Sequence, residues 1–188
     1  MRIVELLKQE SADARASALA EAMAAEITAA TEVAHMRGLR VAVHAWGTAG
    51  VKTALKCGVD SIEHGLLDDE AVDLILEKDA FYVPTICGTQ DEILNQEGVL
   101  PDFMLKKVRE VADIHREGLQ KAYKAGVKIA CGSDSTPTGE YTMRELEHLV
   151  KAGMSEMDTL VAATRTSADL CSALDRLGTI EVGKLADL

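Results

Sequence analysis

The sequence predicts an α/β fold in which parallel strands alternate with helices. Short apolar runs bounded by glycines recur along the chain, and they indicate buried strands because they are too short for helices. Amphipathic stretches of helical length separate these runs, and this alternation requires a parallel sheet with crossover connections. The chain has 188 residues and is 47% hydrophobic, which suits a single domain (1–188) with a sizeable core.

The opening stretch, residues 1–38, predicts one long leading helix because no glycine or proline precedes Gly38. Apolar side chains at helical spacing define its expected buried face: Leu19, Met23, Ile27, Ala30 and Ala34. Gly38 is a natural stop at the carboxyl end of such a helix.

Four apolar runs predict the strands, at residues 41–45, 59–65, 80–86 and 127–131. Helices are expected at residues 49–56, after Asp68 (a helix carrying Val72, Ile75 and Leu76), and at 101–126, 142–152 and 155–174. Asp68 is expected to cap the second of these helices, and Ser155 with Asp158 to cap the last. The stretch from 87 to 100 predicts a long loop, and residues 177–188 predict a turn followed by a strand.

Composition excludes several classes of function. The chain carries 31 acidic and 20 basic residues, a formal charge of −11, which disfavours binding to nucleic acid. No apolar run reaches the roughly 18–20 residues that a membrane span needs. The four cysteines are scattered without a Cys-x-x-Cys pair, which fits a reducing, cytoplasmic location better than a disulfide framework.

Polar residues of related chemistry follow three of the predicted strands. His44 closes the first strand, His64 closes the second, and Asp134 follows the fourth in a Gly-Ser-Asp-Ser sequence. Because the carboxyl ends of parallel strands face one common site, the three side chains can converge. Two imidazoles and a carboxylate suit zinc or a similar divalent ion. The alternative is structural: each histidine forms hydrogen bonds within the fold, and Asp134 caps a turn.

Two further residues have a structural and a functional interpretation. His115 lies at the apolar spacing of its predicted helix, which favours a packed, hydrogen-bonded residue over a metal ligand. Trp46 follows His44 closely and either lines a pocket or packs against the core.

Several motifs, taken together, resemble the amidohydrolase superfamily, and within it the imidazolonepropionase-like and Xaa-Pro dipeptidase-like enzymes. They are His44 in Val-Ala-Val-His-Ala-Trp-Gly, His64 in Asp-Ser-Ile-Glu-His-Gly, Val-Pro-Thr at 83–85, Ala-Gly-Val-Lys-Ile-Ala ahead of Asp134, and the closing Arg-Leu-Gly-Thr-Ile-Glu-Val-Gly-Lys-Leu-Ala-Asp-Leu. The resemblance extends over about residues 27–188.

The resemblance implies a metal-dependent hydrolase of amide-type C–N bonds, acting on a dipeptide or a cyclic amide through a metal-activated water. It implies a (β/α)₈ barrel in which His44, His64 and Asp134 are the metal ligands after the fifth, sixth and eighth strands. Asp134 would also be the catalytic acid and base. The implied cofactor is a divalent metal, zinc above all, with one or two ions. In members with one ion the residue at His64 acts on substrate instead.

The sequence departs from the family pattern at its amino-terminal side. It contains no His-x-His pair, and Lys8, the only early lysine, does not follow a predicted strand. The four predicted strands therefore correspond to the fifth to eighth, the C-terminal half of the barrel, with 177–188 as the start of a truncated β-sandwich segment. Self-association to a homo-oligomer could complete such a half-barrel.

Two alternatives remain open beside the hydrolase interpretation. One is a catalytically inactive half-barrel that oligomerises. The other is one subunit of a split enzyme, whose partner supplies the His-x-His strand and the bridging lysine. Whether the isolated chain is itself an enzyme is not decided by its sequence.

Overall fold

A computed structural model describes residues 12–87, 101–134 and 139–186 of the chain. The strands are β1 (Ala42–Ala45), β2 (Ser61–His64), β3 (Phe81–Val83) and β4 (Lys128–Ile129). The helices are α1 (Ala12–His35), α2 (Thr48–Lys56), α3 (Asp69–Glu77), α4 (Asp102–Ala125), α5 (Gly139–Lys151), α6 (Glu156–Val161) and α7 (Ser167–Leu170). Within the described ranges, no helix has both the length and the hydrophobicity needed to cross a bilayer.

The four strands form one parallel sheet in the order of the sequence, β1-β2-β3-β4. Ala45 lies beside His64 in the first pairing, and Tyr82 of β3 lies between Ile62 of β2 and Ile129 of β4. Helices connect successive strands, so the predicted α/β class with a parallel sheet is confirmed. The predicted loop at 87–100 lies outside the described residues apart from Cys87.

One face of the sheet is covered by helices and holds the hydrophobic core. The largest fully buried apolar side chains of that core are Val51, Leu55, Ile62, Ile75, Tyr82, Leu119 and Leu149. The core is aliphatic, as the low aromatic content predicts, with Tyr82 as its main exception. The hydroxyl of this tyrosine takes part in the hydrogen bonds of the candidate site.

Helix α1 buries only part of the face that its hydrophobic spacing predicts. Ile27 packs against the core and Ala34 is half-buried, but Met23 is 52% exposed and Ala30 is exposed. The helix packs on α2, and beyond the end of α2 the Cys57 thiol lies 3.4 Å from the carbonyl oxygen of Ala24. Apolar spacing was only partly informative here because alanine-rich helices present several faces of similar hydrophobicity. Residues 1–11 of the predicted helix lie outside the described part of the chain.

The predicted helix ends are confirmed where capping residues identified them. The Asp68 carboxylate accepts a hydrogen bond of 2.8 Å from the backbone N–H of Ala71 at the start of α3. The Ser155 hydroxyl accepts one of 3.0 Å from Asp158 N–H at the start of α6. Gly126 ends α4 in the left-handed conformation, with φ of 85°, which a residue without a Cβ adopts at little cost.

The predicted helix at 155–174 is interrupted. After α6 the chain forms a π-helical segment, Ala162–Thr166, before α7 begins. The Ser167 hydroxyl donates to the carbonyl of Ala162, five residues earlier, with a distance of 2.7 Å. Single π-helical turns are often found beside functional sites.

The strand expected in the closing segment is not formed in residues 177–186, which make turns. Ile180 is 88% exposed and Val182 is fully exposed. Neither residue has a neighbouring strand to pair with in the described structure, and a strand needs such a partner to form.

Candidate functional site

His44 lies on the face of the sheet that faces away from the core. Side chains alternate along a strand, and Val43 and Ala45 pack towards the core while His44 is exposed. In the register of β1 and β2, His44 lies beside Glu63. Both residues are at the carboxyl ends of their strands, where the sequence predicts a site.

His64 meets His44 because the backbone breaks the alternation. Strict alternation would place His64 with Ala45, its neighbour on the core side. His64 instead has φ of 75°, and Gly65 N–H donates to Glu63 carbonyl at 3.1 Å, which makes a γ-turn centred on His64. The two imidazole rings then lie 4.4 Å apart between centroids in an edge-on arrangement.

This turn leaves no room for a side chain at the next position. A Cβ atom on Gly65 would lie 2.9 Å from a methyl group of Ile62 and 3.0 Å from one of Val51. A positive φ at a histidine costs roughly 1–3 kcal/mol. Such strain persists only where the surrounding structure compensates for it.

A hydrogen-bond chain from α4 stabilises the turn. The Tyr82 hydroxyl donates to the carbonyl of Gly65 at 2.8 Å and lies 3.2 Å from that of His64. Since its one hydrogen is used there, it accepts from His115 Nε2–H at 3.0 Å. His115 is 1% exposed, and burial lowers its pKa to about 4 although a bond to the His64 backbone opposes the shift. His115 is thus a packed, neutral residue, as its helical spacing predicts.

The His64 ring is held from the other side by Thr85. The distance between His64 Nδ1 and Thr85 Oγ1 is 2.5 Å, and both residues are buried. Burial is the main cause that lowers the pKa of His64. Proximity to His44 lowers it further, and the negative charge of Asp134 opposes the shift.

Trp46 closes one side of this group. Its indole stacks on the His64 ring at 5.7 Å between centroids and 18° between planes. It also meets the His115 ring edge-on at 6.2 Å. Trp46 is 36% exposed, so its indole both packs against the histidines and presents a surface to solvent. It therefore has features of both predicted roles, lining a pocket and packing against its neighbours.

Asp134 lies at the same end of the sheet, after β4. Its segment passes close to β3, since a Cβ atom on Gly132 would lie 2.7 Å from a methyl group of Val83. The Ser167 hydroxyl accepts the Cys131 N–H at 3.1 Å and so ties this segment to the π-helical turn. Asp134 is exposed, with φ of 51°.

The structure brings His44 and His64 into contact and leaves Asp134 within electrostatic reach. Asp134 influences the pKa of His64, and it adds to the rise that burial causes in the pKa of Glu63. No set of three or more His, Cys, Asp or Glu side chains among the described residues is close enough to hold a metal ion. The described positions therefore supply a ligand pair with a carboxylate nearby.

Sequence reasoning missed several residues that shape the site. Glu63 and Tyr82 gave no separate signal, because a residue inside an apolar run looks structural. The strand alternation could have identified Glu63, since it shares the open face with His44. Thr85 was noted only as part of the Val-Pro-Thr motif, and no role was assigned to it.

Together these features are those of a parallel α/β scaffold with its candidate site at the carboxyl ends of the strands. Comparison with known proteins identifies the group. The sequence model of the amidohydrolase family matches residues 6–188. The chain belongs to the amidohydrolase family.

Similar proteins are found by comparison of sequences and by comparison of structures. An ochratoxinase from Aspergillus niger is 35% identical over 142 residues, which cover 74% of this chain and 29% of that protein. The crystal structure of a Xaa-Pro dipeptidase with bound methionine in the active site is 38% identical, with a TM-score of 0.76 over 86% of this chain and 41% of that one. The structure of the A. niger ochratoxinase gives a TM-score of 0.78 at 32% identity, over 87% and 38% of the two chains.

The chain thus spans less than half the length of these relatives. Its four-stranded sheet is part of the barrel of this family. The predicted family and the partial barrel are confirmed. The predicted domain limits at 38 and 177 remain predictions.

Removing the Tyr82 hydroxyl tests whether the hydrogen-bond chain stabilises the turn at His64. Tyr82→Phe should lower the free energy of unfolding by about 1–3 kcal/mol, because it removes the buried donor to the Gly65 carbonyl and the oxygen that His115 Nε2 contacts. Urea unfolding measures the change. Tyr141→Phe on α5 is the matched control and should stay within about 0.5 kcal/mol of the wild type. An equal, small effect of both variants would contradict this role.

Proposed function

We propose that the chain carries the metal-binding and proton-transferring part of an amide hydrolase. The observation that carries the proposal is the contact of His44 with His64 at the carboxyl ends of β1 and β2, with rings 4.4 Å apart. In parallel α/β folds this end of the sheet is where substrates bind. Family membership favours hydrolysis over mere structural packing of the pair.

The residues present suit a divalent metal, with zinc as the first candidate. Neutral imidazoles are good zinc ligands, and burial together with the neighbouring ring lowers the pKa of His64, which favours its neutral form. Asp134 contributes a carboxylate whose charge acts on His64. His44 and His64 would form the ligand pair, and the Asp134 carboxylate nearby would complete the set when an ion binds. When bound, it would polarise a carbonyl group and make a water molecule a stronger acid.

The chain's own residues would then move the proton and orient the substrate. Asp134 is exposed and would accept the proton of the attacking water, then pass it to the leaving nitrogen. Trp46 presents a partly exposed indole beside His64. It would pack against an apolar part of the substrate and exclude water there.

The proposed substrates are small molecules with an amide-type C–N bond, dipeptides first. Similarity to a Xaa-Pro dipeptidase, and to a prolidase complexed with N-methylphosphonate-L-proline at 32% identity and a TM-score of 0.73, favours dipeptides. Similarity to an ochratoxinase is compatible with other amides. A cyclic amide is the second candidate within this class.

Metal content tests the proposed ligands directly. Purified protein should bind at least one equivalent of zinc by plasma mass spectrometry, and a chelator should remove it. His44→Ala combined with Asp134→Ala should lose this zinc, because only one ligand would remain. Hydrolysis of Xaa-Pro dipeptides, followed by release of free amino acid, should depend on the same residues and on added zinc.

His35→Gln is the matched control for the loss of a histidine. His35 bonds to Asp60 at 2.8 Å, at the opposite end of β2 from His64. The control should keep the zinc of the wild type. Zinc that persists in the double variant, or that is lost equally in the control, would contradict the assignment. Zinc binding without hydrolysis would favour an inactive chain or a split enzyme over a complete one.

We further propose that the chain associates with a second copy along the sheet. In the described structure β1 and β4 each pair on one side only, and unpaired strand edges favour pairing with another chain. Ala42 is exposed on β1, on the same face as His44. That face would be enclosed if two sheets closed into one barrel.

Sedimentation velocity at about micromolar concentration should therefore show dimers or larger species. Ala42→Lys should weaken association, because a charge would be enclosed without a partner. Ala49→Lys, at an exposed position on α2, should leave association unchanged. A wild-type protein that sediments only as a monomer would contradict the proposal, and association only after mixing with a second protein would favour a split enzyme.

A further inference from the structure

Glu145 is a fully buried acid on α5 that reaches the segment after β3. Its side chain is 0% exposed. Oε1 accepts the N–H of Ile86 at 3.0 Å, and Oε2 accepts the N–H of Cys87 at 2.7 Å. Burying a carboxylate is costly unless hydrogen bonds compensate, and bonds to an ionised acceptor are about twice as strong as neutral ones. Both carboxylate oxygens thus fix the same short turn.

The residue at the start of this turn contacts the candidate site. Thr85 precedes Ile86 and has φ of 52°, a conformation that is unfavourable for a β-branched side chain. Its hydroxyl donates to the carbonyl of Pro84 at 2.7 Å and lies 2.5 Å from His64 Nδ1. The carboxylate of Glu145 holds the backbone directly after this strained residue.

Counting hydrogens assigns the form of the His64 ring. A hydroxyl has one hydrogen, and the Thr85 hydrogen is directed to the Pro84 carbonyl. The close contact with Nδ1 therefore requires that His64 Nδ1–H donates to Thr85 Oγ1. The hydrogen of the neutral ring is then on Nδ1, and Nε2 carries the lone pair. In metal sites the second hydrogen bond of a histidine fixes its tautomer in this way.

We propose that Glu145 is a positioning residue: it holds the turn at 85–87 so that Thr85 fixes the His64 ring with its hydrogen on Nδ1. This inference deepens the proposed function and rests on it, since the Nε2 lone pair matters only if His64 binds a metal or a substrate. Glu145 itself touches neither in this account. It acts through the backbone and through Thr85.

The test reads the tautomer in protein freed of metal by a chelator, so it does not depend on activity. Protein labelled with ¹⁵N in its histidine rings is examined by long-range ¹H–¹⁵N correlation at about pH 8, above the ordinary histidine pKa of about 6.5. His64→Gln assigns the signals. The wild type should show His64 with a protonated Nδ1 and an unprotonated Nε2. A protonated Nε2 would overturn the proposal.

Variants test separately the contact of Thr85 with His64 and the effect of Glu145 on the turn at 85–87. Thr85→Val removes the acceptor and should give a mixture of the two tautomers at His64, whereas Thr85→Ser keeps a hydroxyl and should restore the wild-type pattern. Glu145→Gln replaces one acceptor oxygen by an amide nitrogen and should shift His64 towards the same mixture. Glu147→Gln, which alters an exposed acid paired with Lys151 on the same helix, is the control and should change nothing. An unchanged His64 pattern in Glu145→Gln would overturn the proposal.

If Glu145→Gln does not fold, hydrogen exchange in the wild type tests the role of Glu145 instead. The amides of Ile86 and Cys87 should then be protected as well as those of β3, and fast exchange would overturn the role of Glu145. The outcomes also distinguish failure of this proposal from failure of the proposed function. Protein that binds no zinc but shows the expected tautomer supports the positioning role of Glu145 and contradicts the metal site. Protein that binds zinc but shows the other tautomer in its metal-free form supports the metal site and contradicts the positioning role.

Discussion

The candidate site depends on the left-handed turn at His64. Without its φ of 75°, the ring would follow Ala45 towards the core and would not meet His44. The turn is unfavourable for a histidine, and the structure compensates with buried hydrogen bonds from Tyr82 and with a glycine at the next position. Positive φ values recur at Thr85 and Asp134 near the site, and also at Asp79 and Ser172 outside it.

Around this turn, successive elements each contribute one restraint. Helix α4 supplies His115, which supports Tyr82, and helix α5 supplies Glu145, which supports the segment after β3. Helix α7 supplies Ser167, its first residue, which binds the backbone at Cys131 ahead of Asp134. Helices on the core side of the sheet thus fix the segments that carry the candidate site, and they do so through buried polar side chains.

Much of the fold could be predicted from the sequence because it depends on local patterns. Apolar runs located the strands, and Asp68 and Gly126 located helix ends through capping that involves only neighbouring residues. The buried face of α1 could be predicted only in part, as Ile27 but not Met23 packs against the core, since alanines on several faces leave the exact choice to tertiary packing. The break at Ala162–Thr166 also depends on a distant contact, the bond between Ser167 and Cys131.

The site was predictable in part, and for a similar reason. His44 and His64 follow apolar runs, and the parallel topology then places them together. The restraints on them come from residues far along the chain: His115 follows Tyr82 by 33 positions, and Glu145 follows Cys87 by 58. A single sequence carries no signal for such pairs, because a tyrosine in a strand or a glutamate in a helix is ordinary by itself.

The proposed metal site joins the carboxyl ends of β1 and β2 through His44 and His64. X-ray absorption spectroscopy of the zinc-loaded protein tests this pairing, because imidazole rings leave a characteristic scattering pattern around the ion. Two imidazole ligands are expected in the wild type and one fewer in His44→Ala. A spectrum without imidazole scattering, or one unchanged by His44→Ala, would contradict it.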